Sequence, residues 1–272
     1  MEINKTLYIS DLDGTLLNHS AKLSEYTSDA LNKLIAKGLN FSVATARIPS
    51  RVRKILSNLK VNVPIILMNG ALIYDVENES YVKVNKLSPE AVSAAVNAIR
   101  QFKITGFMYE FIDGHLTTYH ESHDPEPHAY VQDRITGYSD LEGFLNKSFG
   151  DIVYFTMIDT KERLQPVYDA LSAQSELNQA FYVNVYSPDL WFLEIYNAEA
   201  SKESAVKYLR ETYGFERIVG FGDNLNDLPM FKACDERIAV DNANSEVKSA
   251  ADHICDTNDN DGVAKWLEEN FN

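Results

Sequence analysis

Cysteine is scarce in this chain: Cys234 and Cys255 are the only two in 272 residues. Two such residues cannot build a disulfide framework, and their separation fits no structural zinc motif. They point instead to a reducing compartment. No uninterrupted apolar run approaches membrane-spanning length, and the opening MEINKTLYIS lacks the apolar stretch of a secretory leader. A cytoplasmic protein without a membrane partner is expected. Basic charge is also short. Lys and Arg number 25 against 40 Asp and Glu, a formal net charge of −15. The basic residues gather into no patch or stripe, which argues against a nucleic-acid partner. An anionic ligand must therefore be met by a few local cations and a metal. No internal repeat and no low-complexity segment is present, and nothing implies a protein partner.

What is present is an ordinary globular composition, 45% hydrophobic and 24% charged. This length can bury one large core or two ordinary ones. The first third alternates strand and helix. TLYIS is a short apolar run ending at Asp11. LSEYTSDALNKLIAKG carries Leu31, Leu34 and Ile35 on one helical face and stops at Gly38. LNFSVAT is a second strand, Pro49 suits the first turn of a helix, and VPIILMNG is a third strand turning at Asn69-Gly70. Strands separated by helices predict right-handed crossovers and a parallel sheet covered on both faces.

The middle has another rhythm. YVKVNKL, ITGFMYEF, HLTTYH, IVYFTMI, FYVNVYS and WFLEIY read as half-buried strands. Hairpin signals lie at Asp113-Gly114 and around Ser187-Pro188-Asp189. Helices intervene at SPEAVSAAVNAIRQF, with Ser88 as N-cap and Pro89 after it, and at TKERLQPVYDALSAQ. The mixture predicts an antiparallel sheet with helices on one face. The first pattern then resumes through SKESAVKYLRETYG and RIVGFGD to the C-terminus. The expected organisation is an α/β core over residues 1–80 and 197–272, interrupted by an α+β domain over 81–196.

In open parallel sheets, ligands bind beyond the C-terminal strand ends. Such ends carry Asp11 and Asp13, Thr45, Asn69 and Asp223, with Lys202 at the start of the returning helix. Clustered carboxylates repel and are costly to desolvate. A divalent cation removes that cost, and Mg²⁺ takes one or two carboxylates plus oxygens from water and substrate. Asp11 and Asp223 are the natural carboxylate ligands. Asp11 and Asp13, two apart on extended chain, face the same way. Gly14 and Thr15 let the backbone turn with N–H groups toward an anion.

DLDGTLL, SVATAR, Lys202 and GFGDNLNDLPM together resemble the four motifs of the haloacid dehalogenase superfamily. The likeness is strongest to its Cof-type branch, whose large α/β cap lies between the second and third motifs. MNGALIYD and AVDNANSEVKSAADHICDTNDNDGVAKWL also resemble segments of that branch. The resemblance implies a Rossmann-like core with a parallel sheet, an inserted α+β cap, and a Mg²⁺-dependent phosphatase of small phosphate esters, most of all sugar phosphates. It implies that Asp11 is the nucleophile that forms an aspartyl-phosphate. Asp13 would be the general acid and base, lending its backbone carbonyl to Mg²⁺. Thr45 and the Ala46 N–H would hold the phosphoryl oxygens, and Lys202 would add a point charge. Asp223 would ligate Mg²⁺, Asn226 would touch phosphate, and Asp227 would orient Lys202 or support the metal shell. Two positions depart from the family pattern: Ala46 replaces a common glycine, and Glu203 stands where glycine often follows the lysine.

Two rival readings of the same resemblance are a phosphosugar mutase of the phosphomannomutase type and a non-catalytic phosphometabolite sensor. Asp13 argues against dehalogenase chemistry, which generally lacks the second aspartate. YHESHDPEPHAY, from Tyr119 to Tyr130, reads as a surface loop or as a cap loop facing the active site. Its His120, His123 and His128 are irregularly spaced for a transition-metal site. Glu194 and Tyr196, just before the chain returns to the core, are further candidate substrate contacts. Asn69-Gly70 reads equally well as a plain tight turn.

Overall fold

A computed structural model describes residues 5–121, 128, 150–184 and 187–271. They divide into two compact units, Met1–Lys83 with Ser201–Asn272, and Val84–Ala200.

The first unit is built on parallel strands. β1 (Thr6–Ser10), β2 (Asn40–Val43), β11 (Arg217–Gly222), β12 (Glu236–Val240) and β13 (His253–Cys255) lie in the order β13-β12-β11-β1-β2. β1 is central, and Leu7 and Ile9 on it are fully buried. That explains why TLYIS reads as a continuous apolar run. Helices α1 (Glu25–Ala36) and α8 (Gly262–Asn270) pack together. Leu7, Ile9, Ile218 and Ala239 of the strands, and Ala44 just past β2, share a core with Ala205, Val206 and Leu209 of α5 (Lys202–Tyr213) and with Met230 and Phe231 of α6 (Leu228–Ala233). α1 starts where the Ser24 side chain accepts from the Thr27 N–H and ends just before Gly38, whose φ is +102°.

The third apolar segment departs from the simple alternation. β3 (Ile65–Leu67) meets the parallel sheet through one bridge, Ala44–Ile66. Its other edge pairs antiparallel with β4 (Leu72–Asp75), and β5 (Ser80–Val84) completes a three-stranded sheet. Thus YVKV pairs with β4 and not with the antiparallel sheet of the insert. The reason is local. The Asp75 carboxylate accepts from the backbone N–H groups of Glu77 and Asn78, both at 3.0 Å, which closes an Asx-type turn and returns the chain on itself.

In the second unit β6 (Gly106–Ile112), β7 (His115–Glu121), β8 (Asp151–Asp159), β9 (Leu177–Val183) and β10 (Trp191–Asn197) form an antiparallel sheet in the order β7-β6-β8-β10-β9. Asp113 and Gly114 both take positive φ, 49° and 80°, as the two-residue hairpin between β6 and β7 requires. α3 (Pro89–Phe102) and α4 (Lys161–Leu171) cover one face. Val92, Val96 and Ile99 pack there with Met108, Phe155, Leu164, Val167, Leu193 and Ile195. Ser88 caps α3 by accepting from the Ala91 N–H at 3.2 Å. Among the described residues no helix is long and apolar enough to cross a membrane.

Candidate active site

Parallel pairing of β1 with β11 puts Ser10 opposite Phe221. The Asp11 N–H extends this ladder by donating to the Phe221 carbonyl at 2.9 Å. The chain leaves β1 at Asp11 and β11 at Asp223, so two residues distant in sequence end side by side. This is the point from which the sheet grows in both directions, where a crevice opens at the C-terminal strand ends. Asp11, Asp223 and Asp227 each bring a carboxylate oxygen within 4.8 Å of the others, and all three are buried.

Lys202 enters the same cluster from the first turn of α5. Its side chain is only 1% exposed, and its Nζ donates to Asp11 Oδ1 at 2.5 Å and to Asp227 Oδ1 at 2.6 Å. Burial alone would push the ammonium down, but the Asp11 and Asp227 carboxylates raise it, so Lys202 stays charged. Asp227 is the most enclosed of the acids. Its second oxygen accepts from the backbone N–H groups of Asp223, at 3.0 Å, and Asn224, at 3.1 Å. Both oxygens of Asp227 are thereby used for holding Lys202 and the Asp223 turn. Asn226 stands half-buried in the short 3-10 turn Leu225–Asp227, between these two acids in sequence.

The electrostatics favour a cation. Burial raises the Asp11 carboxyl to about 7; the Lys202 ammonium opposes this, and the Asp227 and Asp13 carboxylates add to it. Burial, then Asp227 and Asp11, push Asp223 well above the usual carboxylate range, against a hydrogen bond from the Thr15 hydroxyl at 2.7 Å. With all three carboxylates ionised, the one ammonium would leave an excess of two negative charges in a buried site, the repulsion that these raised values express. A doubly charged cation with a preference for hard oxygen donors matches that excess. Close packing reinforces the fit. Gly14, at φ +81°, lies so near Asp223 that a methyl group on it would come within 2.4 Å of the carboxylate.

Asp13 has a different environment. Its carboxylate accepts from Arg47 Nε at 2.6 Å and from Arg47 Nη2 at 2.5 Å, a two-pronged clamp in which both side chains are partly exposed. So Asp11 and Asp13, alternate residues of one segment, are held by different cations. Thr45 is buried at the end of β2. Its hydroxyl accepts from the Arg47 N–H at 3.1 Å and its carbonyl from the Asn69 N–H at 3.1 Å. Ala46, half-buried, lies between Thr45 and Arg47.

The sequence reading places Asp11, Asp13, Thr45, Asn69 and Asp223 at strand ends along one edge of the sheet, with Lys202 beside them and Asp227 added by the family resemblance. The structure unites Asp11, Asp223, Asp227 and Lys202 directly, and links Asp13 to Thr45 through Arg47. It adds Arg47, which had no assigned role, and a side-chain role for Thr15, expected only to present its backbone N–H. The signal for Arg47 was its place two residues after Thr45, where a short loop turns it back to the first motif. Thr15 had no comparable signal, because a hydroxyl reaching a residue 208 positions away is visible only after folding.

The candidates in the second unit lie in its own sheet. Glu194 accepts from the Tyr182 hydroxyl at 2.8 Å, and Tyr196 stacks on Tyr154 with centroids 5.3 Å apart. Both occupy the face opposite α3 and α4, since Leu193 and Ile195 point into the helix-covered core. His120 packs against Phe107, and burial lowers its pKa. His123 and most of the Tyr119–Tyr130 segment lie outside the described residues.

The sequence pattern of the haloacid dehalogenase-like hydrolases matches residues 8–267. The chain is 26% identical to the 5-amino-6-(5-phospho-D-ribitylamino)uracil phosphatase YitU of Bacillus subtilis, over all of this chain and 99% of the relative. It is 27% identical to YcsE, a phosphatase of the same name from that organism, over 98% of this chain and 96% of the relative. The fold matches the crystal structure of a haloacid dehalogenase-like hydrolase from Bacteroides thetaiotaomicron with a TM-score of 0.82 and 25% identity, over 98% and 99% of the two chains. With the match spanning nearly the whole chain and both ends of the divided core, the protein belongs to the haloacid dehalogenase-like hydrolases, in their Cof-type branch.

Proposed function

We propose that the protein is a Mg²⁺-dependent phosphatase of small phosphorylated metabolites, acting through an aspartyl-phosphate. It is a phosphoric monoester hydrolase, and the observation that carries the finer reading is the Asp11–Lys202–Asp227 arrangement beside Asp223. Lys202 holds Asp11 Oδ1 and leaves Oδ2 as the attacking oxygen. In the first displacement a bond forms between Asp11 and phosphorus while the bond to the leaving oxygen breaks. Asp13 supplies the proton that oxygen needs. In the second, Asp13 takes a proton from water as it attacks phosphorus, and the Asp11 carboxylate is released. The Thr45 hydroxyl, the Ala46 N–H and Asn226 are assigned to the phosphoryl oxygens, and Lys202 neutralises the charge that spreads over them. Asp11, Asp223 and the Asp13 carbonyl would hold Mg²⁺, which would supply charge neutralisation at the phosphoryl group when bound.

Sugar phosphates are the proposed substrate class, with the inserted unit as the cap domain that selects among them. The names of YitU and YcsE add a specific compound to test, a phosphoribitylamino-pyrimidine. The deciding experiment is phosphate release from a panel of sugar phosphates and that compound. A panel that yields isomerised sugar phosphate and little free phosphate would replace the reading with a mutase.

Two outcomes follow from the site. Chelation should abolish turnover, and Mg²⁺ should restore it. Mg²⁺ should also raise the melting temperature, because the acid cluster exists only in the folded chain; a concentration about 100 times Kd adds about 2.7 kcal/mol. Scanning calorimetry checks this, and Asp223→Asn should remove most of the rise. Arg47→Lys keeps the charge but loses the planar fork on Asp13. The expected loss is about 10- to 100-fold in kcat, less than the roughly 10²–10⁴-fold that a general acid contributes because Asp13 is displaced and not removed, with little change in melting temperature because the pair is partly exposed. Steady-state kinetics and a thermal melt on the same preparation separate the two.

A further inference from the structure

We infer that the turn Met68-Asn69-Gly70 is a positioning element that sets Lys202 against Asp11; the inference rests on the phosphatase reading for its kinetic consequence. β3 ends at Leu67, and the next three residues all take positive φ: 51°, 53° and 96°. Two of them carry side chains, and Met68 is fully buried. Such backbone is costly for L-residues and persists where the surroundings over-determine it. A connection between β3 and β4 does not by itself need it, since ordinary hairpin turns use at most two such residues.

What the conformation achieves is a close approach. A methyl group on Gly70 would lie 2.2 Å from the Ser201 carbonyl oxygen, 2.6 Å from its carbon and 3.0 Å from the Ser201 nitrogen. All three are backbone atoms and cannot rotate aside. Ser201 is the N-cap of α5, fixed by a reciprocal pair of hydrogen bonds with Ser204. The next residue is Lys202. The start of α5 is therefore held from two sides, by its own cap and by the turn. On its other side the turn is tied to the second motif: the Met68 N–H donates to the Arg47 carbonyl at 3.3 Å, and the Asn69 N–H to the Thr45 carbonyl at 3.1 Å. Three residues thus set the spacing between Lys202 and the loop that carries Thr45 and Arg47. Asn69-Gly70 is more than a tight turn.

The test is a cycle of Gly70→Ala, Lys202→Met and the double variant in the full chain, assayed with p-nitrophenyl phosphate and by urea unfolding. Gly38→Ala is the control, because Gly38 has a similar φ, +102°, and a methyl group there meets nothing within 4 Å. Gly70→Ala should lower kcat about 100-fold, the scale of a misplaced catalytic group, and move KM by less than about threefold. Gly38→Ala should keep the wild-type kcat. In the Lys202→Met background Gly70→Ala should lower kcat by no more than about threefold, since the group it displaces is gone. Its shift of the urea midpoint should likewise shrink by at least about half there. Equal effects of Gly70→Ala in both backgrounds, in kcat and in midpoint, overturn the inference. If wild-type protein releases no phosphate from any ester, the phosphatase reading fails by itself, and the urea cycle still decides whether the turn places Lys202. If Gly70→Ala does not fold, Ser201→Ala takes its place in the same cycle, loosening the same helix start from the other side.

Discussion

Asp11→Asn is expected to cut phosphate release by on the order of 10⁴-fold or more, the scale seen when a covalent nucleophile is removed. The amide is nearly the same size and still offers an oxygen to Lys202, so the cluster keeps its packing. What is lost is the anionic oxygen that attacks phosphorus. The fold should survive, because Lys202 retains Asp227 at 2.6 Å and one of the three mutually repelling acids becomes neutral. The measurement is single-turnover kinetics with trapping of phosphoenzyme. Wild-type protein should accumulate an acid-stable, hydroxylamine-sensitive acyl phosphate, and the variant should accumulate none. A variant that keeps wild-type turnover would remove Asp11 from the chemistry altogether.

Lys202→Ala should damage activity less than Asp11→Asn does, but it should damage stability as well. Lys202 is the only ammonium contacting the buried acids among the described residues, with its side chain 1% exposed and Asp227 fully enclosed behind it. Removing one partner of a buried ion pair leaves an uncompensated charge, a cost of about 3–5 kcal/mol. Removing a charge aimed at the transferring group costs about 10²–10³ in kcat. The two losses separate under Mg²⁺. The cation should recover part of the stability, since it neutralises Asp11 and Asp223, but not the turnover that depends on the ammonium. Melting temperatures with Mg²⁺ and with chelator, alongside kcat, make the comparison. Lys202→Met, which keeps much of the aliphatic stem, should recover the packing part of the stability loss and none of the activity.

Much of this was legible from the chain because the chemistry sits where strands end. TLYIS and RIVGFG are buried on both faces and so read as apolar runs, and the first polar residues after them, Asp11 and Asp223, mark the edge where a parallel sheet collects its functional groups. Helix starts were equally readable. Ser24 and Ser88 cap by the chemistry that makes serine favourable there. The insert announced itself by its change of period and by the Asp113-Gly114 hairpin.

Other features had no local trace. YVKV alternates like any half-buried strand, and its choice of β4 depends on the Asp75 turn before it. DLD is symmetrical as text, yet Asp11 faces Lys202 while Asp13 faces Arg47.

The sequence by itself determined the strand–helix rhythm, the interruption of the core by an antiparallel insert, and the residue types available for catalysis. These are consequences of hydrophobic period, capping and turn chemistry, which act over a few neighbours. Only the tertiary structure decided which acid meets which cation, why Gly14 and Gly70 must lack a side chain, and that Thr15 supports Asp223. Those are pairings between residues far apart in the chain, set to within an ångström by sheet register and helix placement, and no local pattern carries that distance.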